Sequence, residues 1–422
     1  MYDLTHSQKE ILTSQVFFPD SPICNETIGV SISGELDAAL FQNCWDHVVD
    51  TNPVLRTRID TTAGESIQNQ NGVPPSLKVL NFSDQPSPEK SADIWMRNQS
   101  ATILDLSKGT VVSALLQLSE NKWIWFIQQH HVAVDAWSMT LIWNKLIELY
   151  QCPEQFKTTN SNFQYRDFLK QYRNRILKNK DNAADAHWTA RQKSDPLSLY
   201  GVKGTRTTTH SIRETIDLCP TTLERIDTLL SQAPYKTFSQ SLGYYQFFLS
   251  VFIGWLYTVT DQENITINMP SMNRASNADK QCMGYFIEIL PFKLNIATQA
   301  SFQNIYKLVH QESMRFIKYA NTGSCVHNEG IRPNVFFNYI IGSFNEFPGF
   351  ETSIDWIYPN QTHPHHSLRL HVLDWNPNKA PSIAIDFNTA WFNEEQRTKA
   401  VNHFQRALDL YSTEPKLSLI HI

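Results

Sequence analysis

From Trp123 to Ser138 the chain reads WIWFIQQHHVAVDAWS. The first half of this stretch is apolar and ends in two histidines, and apolar residues then recur at helical spacing from Met139 to Tyr150. The pattern predicts a buried strand, a tight crossover and an amphipathic helix with Ser138 as its N-cap. Because loops that follow buried strands commonly carry catalytic groups, the two histidines and the aspartate of this loop are candidate functional residues.

The length and composition predict a folded protein with more than one domain. A chain of 422 residues corresponds to about two to three domains. Apolar residues make up 41% and aromatic residues 12% of it, enough for a large core and too many for a disordered chain. The net charge of −5 and the pI near 6.3 leave no dominant basic patch, so nucleic acid is not an expected partner.

The cysteines and the apolar segments favour a cytoplasmic protein. The six cysteines are widely spaced and form no C-x-x-C pair, which predicts reduced and mostly buried thiols rather than disulfides or a zinc site. The N-terminal segment has no basic stretch followed by an apolar one, so we expect no signal peptide. The most apolar long segment, residues 241–259, contains Gln246 and two glycines and predicts a buried core helix rather than a membrane span. We therefore expect neither a metal nor a membrane partner.

Strand-like and helix-like segments alternate along the whole chain, which predicts an α/β fold. The predicted strands are 26–33, 54–59, 111–118, 123–129, 211–218, 265–269, 283–292 (with a loop), 335–341, 368–373 and 383–387. The predicted helices are 37–49, 90–103, 221–230, 242–259, 302–317 and 393–410. Polar, turn-rich sequence begins near residue 180 and predicts a domain boundary at that point. The boundary separates an N-terminal lobe of residues 1–180, which contains the histidine loop, from a C-terminal lobe of residues 181–422.

The loop residues His130, His131 and Asp135 resemble the HHxxxDG motif of the condensation domains of nonribosomal peptide synthetases. Other matches follow in that family's order along nearly the whole chain. They are Leu4–Gln8 to S-x-x-Q, Val54–Thr57 to L-R-T, Tyr165–Phe168 to Y-x-D-Y/F, Met283–Phe286 to the start of G-x-F-V-N-T, Arg332–Phe337 loosely to R-x-P-x-x-x-V-x-F, and Asp386–Phe392 to Y-N-x-x-L-F. One such match is weak, whereas several in register give a strong signal.

The resemblance implies a fold and a reaction. In that family two chloramphenicol-acetyltransferase-like lobes form a V with a central tunnel. Donor and acceptor carrier proteins deliver substrates on 4'-phosphopantetheine arms, so no permanently bound cofactor is expected. An amine, usually of an aminoacyl thioester, attacks the acyl or peptidyl thioester of the donor and forms an amide. Carrier proteins, and flanking adenylation and carrier domains, are the implied partners.

The resemblance assigns the catalytic position to His131. An amine that attacks a thioester must lose a proton, and a histidine has a pKa suited to that transfer. The resemblance makes Asp135 structural, and our candidate for its cationic partner is Arg56, with Arg58 second. We expect His130 to pack or hydrogen-bond within the loop.

The residues that follow Asp135 are expected to support the site. A backbone N–H near Ala136, at the helix start, is a candidate contact for the oxyanion, because helix N-termini attract negative charge. Trp137 and Ser138 complete this supporting set. Ala136 stands where the family has glycine, which would strain the chain if the position required a positive φ.

Two features of the second half differ from the family, and a third, a histidine cluster, raises the question of a metal site. Glu288 and Ile289 replace the asparagine and threonine of G-x-F-V-N-T, so acceptor handling is expected to differ. The family block H-Q-x-x-x-P-F-E has no clear counterpart near residues 322–330. The cluster His363, His365 and His366 has no second ligand group at a useful spacing and predicts a solvated loop rather than a metal site.

Other functions within and beyond the superfamily stay open at this point. A coenzyme A-dependent O- or N-acyltransferase is the first alternative, and a catalytically silent platform that recruits another enzyme is the second. The E-G-H-G-R-E run of epimerase domains is not found, and cyclisation domains carry aspartates in place of His130 and His131. The chain is expected to be a free-standing enzyme or one domain of a longer synthetase.

Overall fold

The protein is described by a computed structural model that covers residues 1–62, 65–157, 163–178, 182–191, 195–202, 204, 207–321, 323–327, 333–375 and 380–418. Up to residue 178 the helices and strands are β1 (Tyr2–Asp3), α1 (His6–Phe17), β2 (Asn25–Ser33), α2 (Ala38–Thr51), β3 (Arg58–Thr62), β4 (Glu65–Asn69), β5 (Leu77–Asn81), α3 (Pro88–Ser100), β6 (Val111–Ser119), β7 (Lys122–His130), α4 (Ala136–Gln151) and α5 (Tyr165–Lys178). They are followed by α6 (Asn182–Thr189), β8 (Ser211–Asp217), α7 (Pro220–Leu230), α8 (Gln240–Thr260), β9 (Asn264–Ser271), α9 (Asn277–Lys280), β10 (Glu288–Asn295), α10 (Phe302–Tyr319), β11 (Val335–Ile341), β12 (Glu351–Trp356), β13 (Leu368–Asp374), β14 (Ser382–Asn388) and α11 (Glu394–Thr413).

The α/β prediction is confirmed, and most predicted elements lie within a few residues of the observed ones. One strand prediction is wrong in its first half, because Pro53–Arg56 forms a 3₁₀ helix and β3 starts only at Arg58. Proline fixes φ near the helical value and suits the first position of such a turn. Helix α1 was not predicted, since it buries only Ser7 and Gln8 and shows no apolar stripe.

The residue contacts divide the chain into two compact units. Unit 1 contains residues 1–179, 272–287 and 342–361, and unit 2 contains residues 180–271, 288–341 and 362–422. The first division lies beside the predicted boundary near residue 180, which itself falls outside the described residues. The segments 272–287 and 342–361, which the prediction placed in the C-terminal lobe, pack with unit 1 instead.

Unit 1 is built around β7, the strand that leads into the histidine loop. In its main sheet the strands are ordered β12-β2-β7-β6-β5, so β7 has a hydrogen-bonded neighbour on each side. It is buried from Trp123 to His130, which explains its nearly continuous apolar sequence. On one face Trp125 stacks on Trp143 of α4 with a centroid distance of 5.7 Å. The strand and the helix on either side of the loop are therefore fixed to each other by a buried aromatic contact.

Unit 2 contains a second mixed sheet with its own helices and its own hydrophobic core. Its strands are ordered β10-β9-β11-β13-β14-β8, and β11 runs parallel to both β9 and β13. Helix α8 supplies much of the core, and its long run from Phe247 to Leu256 is buried. This is the one helix of the described residues that is long and apolar enough to cross a membrane, and 72% of its apolar window is buried in the protein. The predicted core helix is thus confirmed.

The cysteines are free and mostly buried, as the sequence predicted. Cys24, Cys44, Cys282 and Cys325 are buried, Cys152 is half-buried, and only Cys219 is exposed.

Candidate active site

Backbone hydrogen bonds hold the loop between β7 and α4 against its neighbours. The N–H of His131 donates to the carbonyl of Cys24, just before β2, at 2.8 Å, and the N–H of Ala133 donates to the carbonyl of His130 at 3.1 Å. Val132 to Val134 are buried, with at most 2% of each residue exposed. The position of His131 is therefore set by the sheet.

Asp135 closes the loop and begins α4. Its Oδ1 accepts the backbone N–H of Ser138 at 2.9 Å, and the Ser138 hydroxyl lies 2.8 Å from the same oxygen. Asp135 is therefore the N-cap, and the prediction that Ser138 takes this role is wrong. The carboxylate satisfies the third N–H of the helix, while Ser138 lies inside the first turn.

Asp135 forms a buried ion pair with Arg274, and the side chain of each is only 1% exposed. Nη2 of Arg274 lies 2.9 Å from both Oδ1 and Oδ2 of Asp135. Oδ2 also accepts the backbone N–H of Phe286 at 3.2 Å. The carboxylate thus ties the histidine loop to the segment 272–287.

The predicted pairing of Asp135 with Arg56, or with Arg58, is wrong. Arg56 ends the 3₁₀ helix, and its carbonyl accepts the N–H of Gly72 at 3.0 Å. Nε of Arg58 lies 3.1 Å from a carboxylate oxygen of Asp60 in a partly exposed pair. The true partner was missed because it lies 139 residues from Asp135 in the chain.

Arg274 also organises the segment around it. Nη1 donates to the carbonyls of Asp279 at 2.6 Å and Cys282 at 2.5 Å. The guanidinium carbon lies 4.0 Å from the centre of the Phe286 ring, a cation–π distance. Arg274 lies ten residues before Gly284, in the stretch that leads to a family motif. This closeness to the motif is the sequence feature that could have identified Arg274 as a candidate.

Ser138 links the start of α4 to Gly284. Its Oγ accepts the N–H of Gly284 at 3.0 Å and lies 2.9 Å from the Gly284 carbonyl. A Cβ atom added at Gly284 would lie 2.1 Å from the Cδ2 atom of Tyr165, which is a steric overlap. Glycine is required here because the backbone passes directly against the tyrosine ring.

The side chain of His131 is 26% exposed, whereas those of Asp135 and Arg274 are each 1% exposed. Its Nδ1 lies 3.1 Å from the carbonyl of Val134, so Nδ1 carries a hydrogen and donates it. Its Nε2 lies 2.9 Å from a carboxylate oxygen of Glu26. The ring of Tyr285 contacts it edge-on at a centroid distance of 5.8 Å.

The surroundings shift the pKa values of the two histidines in opposite directions. Burial by itself lowers the pKa of His131. The charge and hydrogen bond of Glu26, together with the Val134 carbonyl and the charge of Asp135, raise it by more, so the pKa of His131 lies above its usual value. Burial, helped by the charge of His131, lowers the pKa of His130 to about 3. His130 is therefore neutral, and its Nδ1 accepts the N–H of Val132 at 3.1 Å.

A family model described as "Condensation domain" matches residues 1–421. The chain belongs to this family. The "Dimodular nonribosomal peptide synthase" of Bacillus subtilis is 26% identical over 320 residues, which cover 74% of this chain and 13% of that protein. The "Isonitrile lipopeptide synthase" of Streptomyces coeruleorubidus is 24% identical over 73% of this chain and 21% of that protein. The condensation domain therefore spans only a small part of the length of these relatives.

Solved structures of condensation domains share its fold. The starter condensation domain of rhizomide synthetase RzmA, as a mutant in complex with C8-CoA, has a TM-score of 0.87 at 21% identity and covers 100% of this chain and 97% of that one. The first condensation domain of the calcium-dependent antibiotic synthetase, in complex with a substrate analogue, has a TM-score of 0.83 at 18% identity and covers 99% and 98%.

The replacement of the family's glycine by Ala136 introduces no backbone strain in this condensation domain. Ala136 is the first residue of α4, and its φ is not positive. The neighbouring Trp137 is half-buried and donates its indole N–H to the carbonyl of Lys280 at 2.8 Å. Both residues thus lie in the helix start that Asp135 caps.

Residues of two further family motifs, both in unit 1, hydrogen-bond to the backbone of the histidine loop and of the segment that contacts it. Nε2 of Gln8, in the S-x-x-Q match, donates to the carbonyl of Val132 at 2.6 Å. The hydroxyl of Tyr165, in the Y-x-D-Y/F match, donates to the carbonyl of Tyr285 at 2.7 Å. Motifs that are far apart in the sequence therefore converge on the backbone around His131.

In unit 2 one of the departures noted in the sequence, Glu288, has a structural role. Glu288 is buried at the start of β10, and its carboxylate accepts the backbone N–H groups of Gly323 at 2.5 Å and Cys325 at 3.0 Å. This side chain therefore anchors a loop of unit 2. Arg332, in the R-x-P match, lies outside the described residues, as do residues 322 and 328–330 of the stretch 322–330.

The histidine cluster of unit 2 is packed more tightly than the sequence suggested. His365 is only 9% exposed, so the prediction of a solvated loop is wrong for this residue. The three rings of His363, His365 and His366 contact one another edge-on, and His366 also meets Phe336. In the part of the chain that the structure describes, no group of three or more His, Cys, Asp or Glu residues is arranged to hold a metal ion.

Proposed function

We propose that this condensation domain joins an acyl or peptidyl thioester on a donor carrier protein to the amine of an acceptor, usually an aminoacyl thioester on a second carrier. Family membership over residues 1–421 supports the reaction class. The observation that carries the proposal is the placement of His131, whose Nδ1 is fixed by Val134 while part of its ring stays exposed. A polar ring held this firmly at an accessible position suits proton transfer.

The reaction needs one proton to move for each amide formed. The amine nitrogen attacks the thioester carbon, and the carbonyl electron pair moves to oxygen. When the oxyanion collapses, the C–S bond breaks and the sulfur leaves as a thiolate. The nitrogen loses one proton and the sulfur gains one, and we assign this transfer to Nε2 of His131.

The oxyanion is expected to lie near the start of α4. The first N–H groups of a helix have no partner within it, and the helix dipole favours negative charge at that end. The N–H of Ala136 is our candidate donor. The carboxylate of Asp135 does not compete with the oxyanion for this N–H, because it accepts hydrogen bonds from Arg274, Ser138 and Phe286 instead.

The substrates and partners follow from this assignment. We propose that both substrates arrive on 4'-phosphopantetheine arms of carrier proteins, that no cofactor is permanently bound, and that adenylation domains load those carriers. One relative is named a dimodular nonribosomal peptide synthase, and carrier and adenylation domains belong to such synthases. We propose the cytoplasm as the place of action.

A second donor chemistry is favoured by one specific observation. The related starter condensation domain is described in complex with C8-CoA. An acyl group on coenzyme A presents the same thioester and the same phosphopantetheine arm as an acyl carrier protein. We therefore keep acyl-coenzyme A as the alternative donor for this chain.

The test is intact-mass analysis of loaded carrier proteins incubated with the enzyme. We expect transfer of the acyl group from the donor carrier to the acceptor amine, and its loss in His131→Ala. Parallel reactions with acyl-coenzyme A as the donor decide between the two donor chemistries. Lys108→Ala, which alters an exposed pair with Asp105, serves as the control. Wild-type enzyme that transfers no acyl group from either donor points instead to a silent platform.

A further inference from the structure

Glu26 lies beside the catalytic ring on a neighbouring strand. It is the second residue of β2 and pairs in register with Gln129 of β7, two residues before His131. One carboxylate oxygen lies 2.9 Å from Nε2 of His131, and the side chains of Glu26 and His131 are 19% and 26% exposed. No motif singled out in the sequence includes this glutamate.

Both nitrogens of the His131 ring face oxygen atoms that accept hydrogen bonds. The Val134 carbonyl accepts only, so Nδ1 must carry a hydrogen. An ionised Glu26 also accepts only, so a hydrogen on Nε2 makes the 2.9 Å contact a charge-assisted bond. The arrangement is most stable when the ring holds both hydrogens and the carboxylate is ionised.

The other groups around the ring do not supply this negative charge. His130 is buried and neutral, and Asp135 is already paired with Arg274. Burial, helped by the charge of Glu26, raises the pKa of the Cys24 thiol to about 12, so the thiol is not ionised at neutral pH. Tyr285 contributes an edge contact. Glu26 is thus the anion in direct contact with the imidazole edge.

We propose that Glu26 is a positioning residue for the condensation reaction, which holds His131 in its doubly protonated form in the resting enzyme. The inference rests on the proposed function. The imidazolium then gives its Nε2 proton to the leaving sulfur as the C–S bond breaks. The proton lost by the amine nitrogen returns to Nε2, so the pair ends each turnover in its starting state.

The experiment measures the protonation of His131 directly. Protein labelled with ¹⁵N in the histidine rings is titrated by NMR, and the His131 signals are assigned by their loss in His131→Gln. The variants are Glu26→Gln, which removes the charge and keeps the shape, and Glu26→Asp, which restores the charge. The matched control is Glu10→Gln, which alters the separate His6–Glu10 pair at 3.5 Å on α1. The alkaline limb of the pH profile of kcat/KM is measured on the same set.

We expect the His131 titration to move to lower pH in Glu26→Gln, to return part of the way in Glu26→Asp, and to stay in place in Glu10→Gln. The alkaline limb of kcat/KM should move in the same direction. An unchanged titration in a folded Glu26→Gln variant overturns the proposal. If that variant does not fold, the wild type decides, because titration of His131 at or below about 6.5, the ordinary histidine value, overturns it as well.

The titration needs no substrate, so its outcome is separate from that of the proposed function. A wild-type enzyme that makes no amide but shows the Glu26-dependent titration contradicts the assigned reaction and leaves the pairing of Glu26 and His131 intact.

Discussion

Replacing Asp135 with asparagine should destabilise unit 1 far more than the loss of one surface charge would. The substitution keeps the shape of the side chain but leaves the Arg274 guanidinium, 1% exposed, without its anion. Removing one partner of a buried ion pair typically lowers the free energy of unfolding by about 3–5 kcal/mol. For a domain of 150–250 residues, each kcal/mol corresponds to about 2–4 °C, so we expect Tm to fall by about 6–20 °C.

A double-mutant cycle identifies the partner of Asp135. Arg274→Met alone should also destabilise, because Asp135 is then the buried charge without a counter-ion. The double variant should lose less than the sum of the two single losses, since neither charge is left behind. The same cycle with Arg56→Met should show no coupling, because Arg56 is not the partner in the structure. Calorimetry and urea unfolding followed by tryptophan fluorescence provide the free energies.

The control is Asp93→Asn, which removes an exposed i,i+4 pair with Arg97 at 2.9 Å. Exposed helix pairs of this kind contribute about 0.3–0.5 kcal/mol, so its Tm should barely change. A loss of stability in Asp135→Asn no larger than in this control would refute the buried pair as the anchor of the loop. Coupling to Arg56 rather than Arg274 would refute the assignment of the partner.

Two further predictions concern packing and pH. Gly284→Ala should lower the free energy of unfolding, measured by urea titration, by about 1–3 kcal/mol or more, because the added Cβ would overlap the Tyr165 ring. The control Gly109→Ala should be nearly neutral in the same titration, because no atom lies within 4 Å of the added Cβ. Burial lowers the pKa of His371 to about 4. Between about pH 6.5 and pH 4 the unfolded chain therefore binds a proton at this histidine that the folded protein does not bind. The free energy of unfolding should fall on acidification through this range by up to about 1.4 kcal/mol per pH unit. His371→Gln should remove that part of the slope, and an unchanged slope in urea titrations across this range would contradict the assignment.

The order of strands and helices followed closely from the sequence because the apolar periodicities are strong. The stretch from Trp123 to Ser138 predicted a buried strand, a turn and a helix, and β7 and α4 have these positions. Such patterns depend on local spacing and on burial against a core, both of which a single sequence displays. The same reasoning identified His131 and Asp135 as candidates.

The partners of those residues depend on contacts between distant segments. Arg274 lies 139 residues from Asp135, and Glu26 lies on a strand that a long connection separates from the histidine loop. The sequence offered Arg56 in a matching motif and Arg58 just after it, but a positive charge in or beside the right motif does not specify which carboxylate it meets. The N-cap was misplaced for a related reason, since both Asp135 and Ser138 are good capping residues and only the geometry distinguishes them.

The role of His131 in amide formation is tested by comparing acyl transfer by matched wild-type and His131→Ala proteins. Donor-loaded and acceptor-loaded carrier proteins are incubated with each enzyme, and the intact mass of the acceptor carrier is followed over time, after circular dichroism has shown that both proteins are folded. We expect the wild type to add the mass of the acyl group to the acceptor, and His131→Ala to lose this activity by about 10²-fold or more, the usual contribution of a positioned acid–base group. Acyl transfer by His131→Ala at the wild-type rate would contradict the role assigned to this histidine.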